Sequence, residues 1–168
     1  NPPVRIYLPA TFDLTSQWLS AGQIPAVDGF AVTESLRDWY EQGDEEEFEY
    51  AATDLAARYS LEQIAQHQDA TPRRVVLVLE VTPDSVIQIP DLKGGIRLSN
   101  PIEWSLVEAA MIDGDEAVAD VKSAISLYAK AIAGDGEANF VVSQVEGHEL
   151  LWFDSSEIEF VLQVDGNE

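Results

Sequence analysis

His148-Glu149 is the pair in this sequence closest to a catalytic motif, because a helix that carries two histidines at i and i+4 converges them on one zinc ion while the adjacent glutamate activates its water. Position 152 is Trp, so the second ligand is missing. A catalytic histidine served by carboxylates stays open, since His148, Glu149 and Asp154 flank an apolar run that reads as a strand, and imidazole exchanges protons near neutral pH. A structural histidine beside such a strand is the commoner arrangement, and geometry decides between the two. Asp113, Asp115 and Glu116 are the acids best spaced to hold Mg²⁺ or Ca²⁺ from one loop. Asp113 and Glu116 also have the spacing of a helix N-cap and its third residue, which accounts for two of the three acids without any metal. Asp135, Glu137 and Asn139, with Glu146 twelfth, imitate a calcium-binding loop, but Phe140 stands where that loop needs glycine. The sequence contains no G-x-x-x-x-G-K-[ST] and no G-x-S-x-G, and Gly134-Asp135-Gly136 follows a helical pattern where a dinucleotide fingerprint must follow a strand. No cofactor and no metal is therefore assigned.

Charge says more than motifs do. Against 9 Lys+Arg stand 31 Asp+Glu, a net charge of -22, within 168 residues that contain no cysteine. Thiolate chemistry, disulfides and cysteine-based metal sites are excluded. Direct binding to nucleic acid or to anionic lipid is opposed, because both need Lys and Arg to neutralise phosphates. The longest strictly apolar run, Val75–Leu79, is far short of the roughly 20 residues of a spanning helix, so no membrane partner is expected. The start of the chain has no basic-then-apolar signal pattern, and together with the missing cysteines this favours a cytoplasmic location.

Acids concentrate between residues 34 and 54, where Glu34, Asp38, Glu41, Asp44, Glu45, Glu46, Glu47, Glu49 and Asp54 face only Arg37. Glu34, Asp38, Glu41, Glu45, Glu46 and Glu49 are the candidates for an acidic face that steers a basic protein partner. The plainer account is a solvated helix surface. Arg73-Arg74, the only basic pair, reads as a clamp for carboxylates at a strand start.

These residues need elements to hold them. Val4–Leu8 is β-rich and reads as a strand ended by Pro9; a helix follows through Leu14, Trp18 and Leu19, capped by Asp13 and stopped by Gly22. Residues 23–32 read mostly as loop. Thr33 caps a helix through Leu36, Trp39 and Tyr40 to Gly43. Asp44 and Glu47 cap a second, which carries Phe48, Ala52, Leu55 and Tyr59 on one stripe and runs to about Gln68. Arg74–Val81 is β-branched without alternation, as in a central strand covered on both faces. Val86–Ile89 and Ile96–Leu98 are short strands, and Val107–Ile112 is a longer one. Val118, Val121, Ile125, Tyr128 and Ile132 repeat at helical spacing. Residues 137–146 favour helix, Leu150–Phe153 reads as a second central strand, and a last helix runs through Ile158 and Leu162.

Arg5-Ile6-Tyr7-Leu8-Pro9-Ala10-Thr11, Leu36-Arg37-Asp38-Trp39-Tyr40 leading into Gly43–Ala51, Arg73-Arg74-Val75-Val76-Leu77 and His148-Glu149-Leu150-Leu151-Trp152-Phe153 together resemble a family of small uncharacterised actinobacterial proteins. The resemblance implies an intracellular bacterial protein of one domain. It supplies no activity.

The expectation is one α+β domain over residues 1–168, an antiparallel or mixed single-layer sheet with helices packed on it, whose simplest form is a ferredoxin-like βαββαβ. Function is expected to be non-catalytic protein interaction through the acidic face. The alternative is a small enzyme or ligand-binding domain with a pocket near Tyr7, Trp39, His148, Trp152 and Asp154. Homodimerisation through a strand edge or the amphipathic helix is compatible with either.

Overall fold

The computed structural model describes residues 2–40, 42–67 and 70–166. In chain order the elements are β1 (Val4–Ala10), α1 (Phe12–Ala21), β2 (Gln23–Ile24), β3 (Asp28–Ala31), α2 (Glu34–Trp39), α3 (Glu45–Gln66), β4 (Val75–Val81), β5 (Val86–Gln88), β6 (Gly95–Leu98), β7 (Ile102–Glu103), β8 (Val107–Asp113), α4 (Val118–Ile132), α5 (Gly136–Ser143), β9 (Leu150–Asp154) and α6 (Ile158–Gly166). Among the described residues seven strands form one open sheet in the order β5-β6-β3-β1-β4-β8-β9, and β2 pairs separately with β7. Every pairing is antiparallel. The class is α+β, as expected. The four-stranded ferredoxin-like version is not confirmed, because the sheet has seven strands and β1 lies directly against β4.

β4 is the centre in fact as in pattern: Val75, Val76, Leu77, Val78 and Leu79 are all fully buried. Alternation then divides them. Leu77 and Leu79 join Ile6, Leu8, Trp18 and Ile158 on the face covered by α1 and α6. Val76 and Val78 join Tyr7, Phe30, Phe48 and Ala52 on the face covered by α2 and α3. Each such side chain contributes about 1.5–3 kcal/mol when taken out of water, so the two-faced burial of β4 anchors the whole arrangement. The C-terminal half of α3 continues past the sheet, where Leu61 and Ile64 pack with Val121, Ala124 and Val145 of the segment from α4 to the turn after α5. Ser60 pins α3 to the sheet. Its hydroxyl donates to the Ala10 carbonyl at 2.7 Å and accepts from the Val75 amide at 2.9 Å, so the end of β1 and the start of β4 share one buried side chain.

Several expectations are corrected. β2 and β3 occupy the stretch read as loop, and β3 lies between β1 and β6. Gly29, within that stretch, serves close approach: a Cβ at position 29 would stand 2.5 Å from Leu8 Cδ2 and 2.9 Å from the Tyr7 carbonyl oxygen. Pro9 does not end β1, which continues to Ala10 because β3 pairs only as far as Tyr7 and asks no hydrogen bond of position 9. Thr11, not Asp13, caps α1 through the Leu14 amide, while Gly22 stops it as expected in the left-handed conformation, at φ 73°. α2 ends at Trp39 and not at Gly43. Leu150–Phe153 is not a central strand: β9 pairs only with β8, and Leu151 and Trp152 stay 50% and 47% exposed. Asp113 makes no cap for α4, because its carboxylate is turned to Arg74.

Candidate functional site

α3 packs chiefly over β1, β3 and β4, with Ala109 of β8 buried in the same cluster. The part of the face left over is lined by Met111 and Leu150, both only partly buried. Between this strip and the helix lies a cavity of about 290 Å³. Spacing on α3 decides what its helical wall offers: Tyr50, Asp54 and Ala57 recur at i, i+4 and i+7 and share one face, joined by Thr53. The opposite wall comes from the turn before β9, with Glu146, His148 and Glu149. On the other side of Tyr50 lies a second cavity, of about 280 Å³, reached by Tyr40, Glu47 and Phe48. Tyr50 and Asp54 line both.

The floor is held by a buried ion pair. Arg74 and Asp113 are 4% and 2% exposed; the carboxylate accepts from the Arg74 amide at 2.8 Å, from Nε at 2.9 Å and from Nη2 at 2.8 Å. Nη2 also donates to the His148 carbonyl at 2.9 Å. The His148 ring meets Asp120 of α4, Nε2 to Oδ2, at 2.7 Å. The backbone of His148 is thus tied to the sheet and its ring to α4, so its place on the cavity wall follows from two separate anchors. Tyr7 stands behind Thr53 on β1. Burial first, and then the nearby Glu49 carboxylate, push its phenol up to about 12, with Arg5 and hydrogen bonding with Thr53 acting in the other direction. It is therefore a neutral hydroxyl across the physiological range.

The rim is acidic. Arg58 lies between two of its carboxylates, 3.2 Å from Asp54 and 3.2 Å from Glu146, with its side chain 56% exposed. Apolar walls beneath carboxylates suit a ligand with an aliphatic or aromatic stem and a positive end. Among the described residues no group of three or more His, Asp or Glu side chains is placed to hold a metal ion.

The structure distributes the sequence candidates as follows. Glu34, Asp38, Glu45 and Glu46 are exposed on α2 and the first turn of α3, and Glu45 pairs with Arg37. Glu49 is half-buried beside Tyr7. Glu41 lies outside the described residues. His148 and Glu149 sit together on the cavity wall, but Asp154 is at the far end of β9, where it accepts from Trp152 Nε1 at 2.9 Å and caps the turn before α6. The carboxylate at the His148 ring is Asp120. Trp152 lies under the Arg5 guanidinium, and Trp39 carries the Lys93 ammonium 4.1 Å from its ring centre and lines neither cavity. Asp113 and Asp115 serve Arg74 and Arg73, which bears out the clamp expected of the basic pair, while Glu116 is exposed. Tyr50 and Asp120 are not among the sequence candidates, and Asp54 enters there only as one of the nine acids between residues 34 and 54. The i, i+4, i+7 pattern of Tyr50, Asp54 and Ala57 carried the signal for the first two; Asp120 meets His148 only through the tertiary packing of α4.

Residues 4–162 match the model of DUF6912, described as a family of unknown function. No curated protein and no solved structure matches the chain.

Proposed function

The chain belongs to this family of unknown function, and from that premise, which carries no activity over, we propose that it is a non-catalytic binding domain for a basic segment of a partner protein in the cytoplasm. The observation that supports the reading is the sharing of Tyr50 and Asp54 by two neighbouring cavities. Through them Glu47, in the acidic first turn of α3, is linked to the groove at His148. Negative potential alone gives attraction with little selectivity. Exposed Tyr40 and Tyr50, at 42% and 67%, add rigid apolar contact of the kind that dominates binding energy at protein interfaces.

Affinity capture from native lysate at low and at high salt tests this, run in parallel with a variant carrying Glu45→Lys, Glu46→Lys and Glu49→Lys and with Tyr50→Ala. The expected result is one stoichiometric protein held at low salt, weakened by salt, and lost from both variants. Equal retention by wild type and the charge-reversed variant would sink the acidic-face reading. Retention of nothing at either salt turns attention to a second reading, a small-molecule pocket or small active site, which the 2.7 Å contact from His148 of the cavity wall to Asp120 of α4 favours.

A further inference from the structure

The two arginines at the groove are held in opposite ways. Arg74 is buried and makes bonds of 2.8 and 2.9 Å to one carboxylate, the lengths of strong charge-assisted pairs. Arg58 is more than half exposed and stands 3.2 Å from each of two carboxylates on different elements, Asp54 of α3 and Glu146 of the turn after α5. Exposed pairs of this kind contribute little and exchange readily with solvent. The backbone that carries both carboxylates is anchored: Asp54 is on a helix pinned by Ser60, and Glu146 is beside Val145, which is 1% exposed in the core between α3 and α4. Two acids on anchored backbone, both lining the apolar cavity at His148, thus hold a loosely bound guanidinium beside it.

Building on the binding reading above, we propose that Arg58 is an internal stand-in for an arginine of the partner, which displaces it from Asp54 and Glu146 and lays its aliphatic stem over Ala57 and Met111. The occupant is an extended, arginine-bearing segment of a basic protein. Extended chain suits the site because the α3 residues lining the two cavities, 50–57 and 47–54, are offset by about one helical turn, roughly 5 Å, close to the roughly 6.6 Å between alternate residues of a strand. One residue enters the His148 cavity and the next but one enters the cavity at Tyr40, with Tyr50 between them. Charge complementarity selects the cation: Asp54, Glu146 and Glu149 surround the first cavity and Glu47 and Asp54 the second. A planar guanidinium can bridge two carboxylates as Arg58 does, which a lysine ammonium reproduces less well.

The probe is the pentapeptide acetyl-Arg-Leu-Arg-Leu-Arg-amide, with the same peptide carrying citrulline in place of each arginine as its uncharged counterpart. Binding is followed by calorimetry on the full chain. Removing Arg58 is expected to strengthen binding: Arg58→Ala and Arg58→Gln should each take the arginine peptide about two- to fivefold more tightly than wild type, the range set by the loss of weak exposed pairs. Arg97→Gln removes the same charge at β6, from a pair with Asp28 at 2.7 Å, and should give no gain. That comparison separates displacement from a general change of net charge. Asp54→Asn with Glu146→Gln should abolish binding, and the citrulline peptide should not bind. Melting curves establish that each variant is folded, and Arg58, being exposed, has little to lose. The proposal is overturned if wild type and both Arg58 variants fail to bind the peptide, if the Arg58 variants bind no better than wild type, if Arg97→Gln gains as much as they do, or if citrulline serves as well as arginine. Capture of a partner by the acidic face with no Arg58 effect would leave the broader reading standing while this one falls. Peptide binding with the expected Arg58 effect supports this proposal whether or not capture from lysate retains a partner.

Discussion

Asp113 shows how one carboxylate can satisfy a cap pattern and a metal pattern on paper and serve neither. Its two oxygens receive three hydrogen bonds from Arg74, and the same guanidinium holds the His148 carbonyl. A buried charge pair adds little net stability compared with a good apolar pair, yet removing one partner strands the other charge in low dielectric. Asp113→Ala is therefore expected to lower unfolding free energy by about 3–5 kcal/mol, read from urea denaturation. The double replacement Arg74→Met with Asp113→Leu should cost less than that single one, because no unpaired charge remains. Glu116→Ala, on the exposed side of the same loop, should stay within about 0.5 kcal/mol of wild type. A loss at Asp113 no larger than that at Glu116 would show that the floor of the groove is held by something other than this pair.

At the scale of elements, β4 and β9 carry the same sequence signal and end in opposite places. Both are apolar on both faces, but β4 has neighbours on either side and helices over both surfaces, whereas β9 pairs with β8 alone and presents Leu151 and Trp152 half exposed. Replacing Leu151 by Lys tests the difference. In an edge strand of this exposure the change should cost under about 1 kcal/mol, while an unpaired charge in a strand covered on both faces would cost several. Thermal or urea unfolding reads it directly, and a loss of several kcal/mol would contradict the edge position. The long elements could be read in advance because their signals are local: the Asp44 cap and the stripe of α3, the β-branched run of β4, the repeat of α4. What decides an edge from a centre is not local. β3 was missed because four residues around a glycine carry no period, and only its pairing with β1 makes it a strand. The groove was partly readable in the same sense. His148 and Glu149 were singled out for their chemistry, while their true neighbours Tyr50, Asp54 and Asp120 come from α3 and α4 by packing that no spacing along the chain reports.

Over the whole molecule the balance of charge outweighs any one pair. Each arginine already has a carboxylate: Arg5 with Glu108, Arg37 with Glu45, Arg58 with Asp54 and Glu146, Arg73 with Asp115, Arg74 with Asp113, Arg97 with Asp28. A net charge of -22 is left without internal counterions. Salt acts on both populations in opposite directions. Screening weakens the exposed pairs, each contributing at most about 1 kcal/mol, and it relieves the mutual repulsion of the surplus acids, which opposes the compact state. The surplus is the larger population and its repulsion is summed over many separations, so the melting temperature is expected to rise as NaCl goes from about 0.01 M to about 1 M, while the Debye length falls from about 30 Å to about 3 Å. Most of the rise should come below about 0.15 M, where the Debye length has already reached about 8 Å; a rise that continued evenly to high salt would indicate preferential exclusion of salt from the surface and not screening. A falling melting temperature would mean that the ion pairs dominate. The same field that strains the folded chain is the one proposed to draw in a basic segment, so a cationic ligand seated at Asp54 and Glu146 should raise the melting temperature most at low salt, where both the repulsion it relieves and the attraction that binds it are strongest.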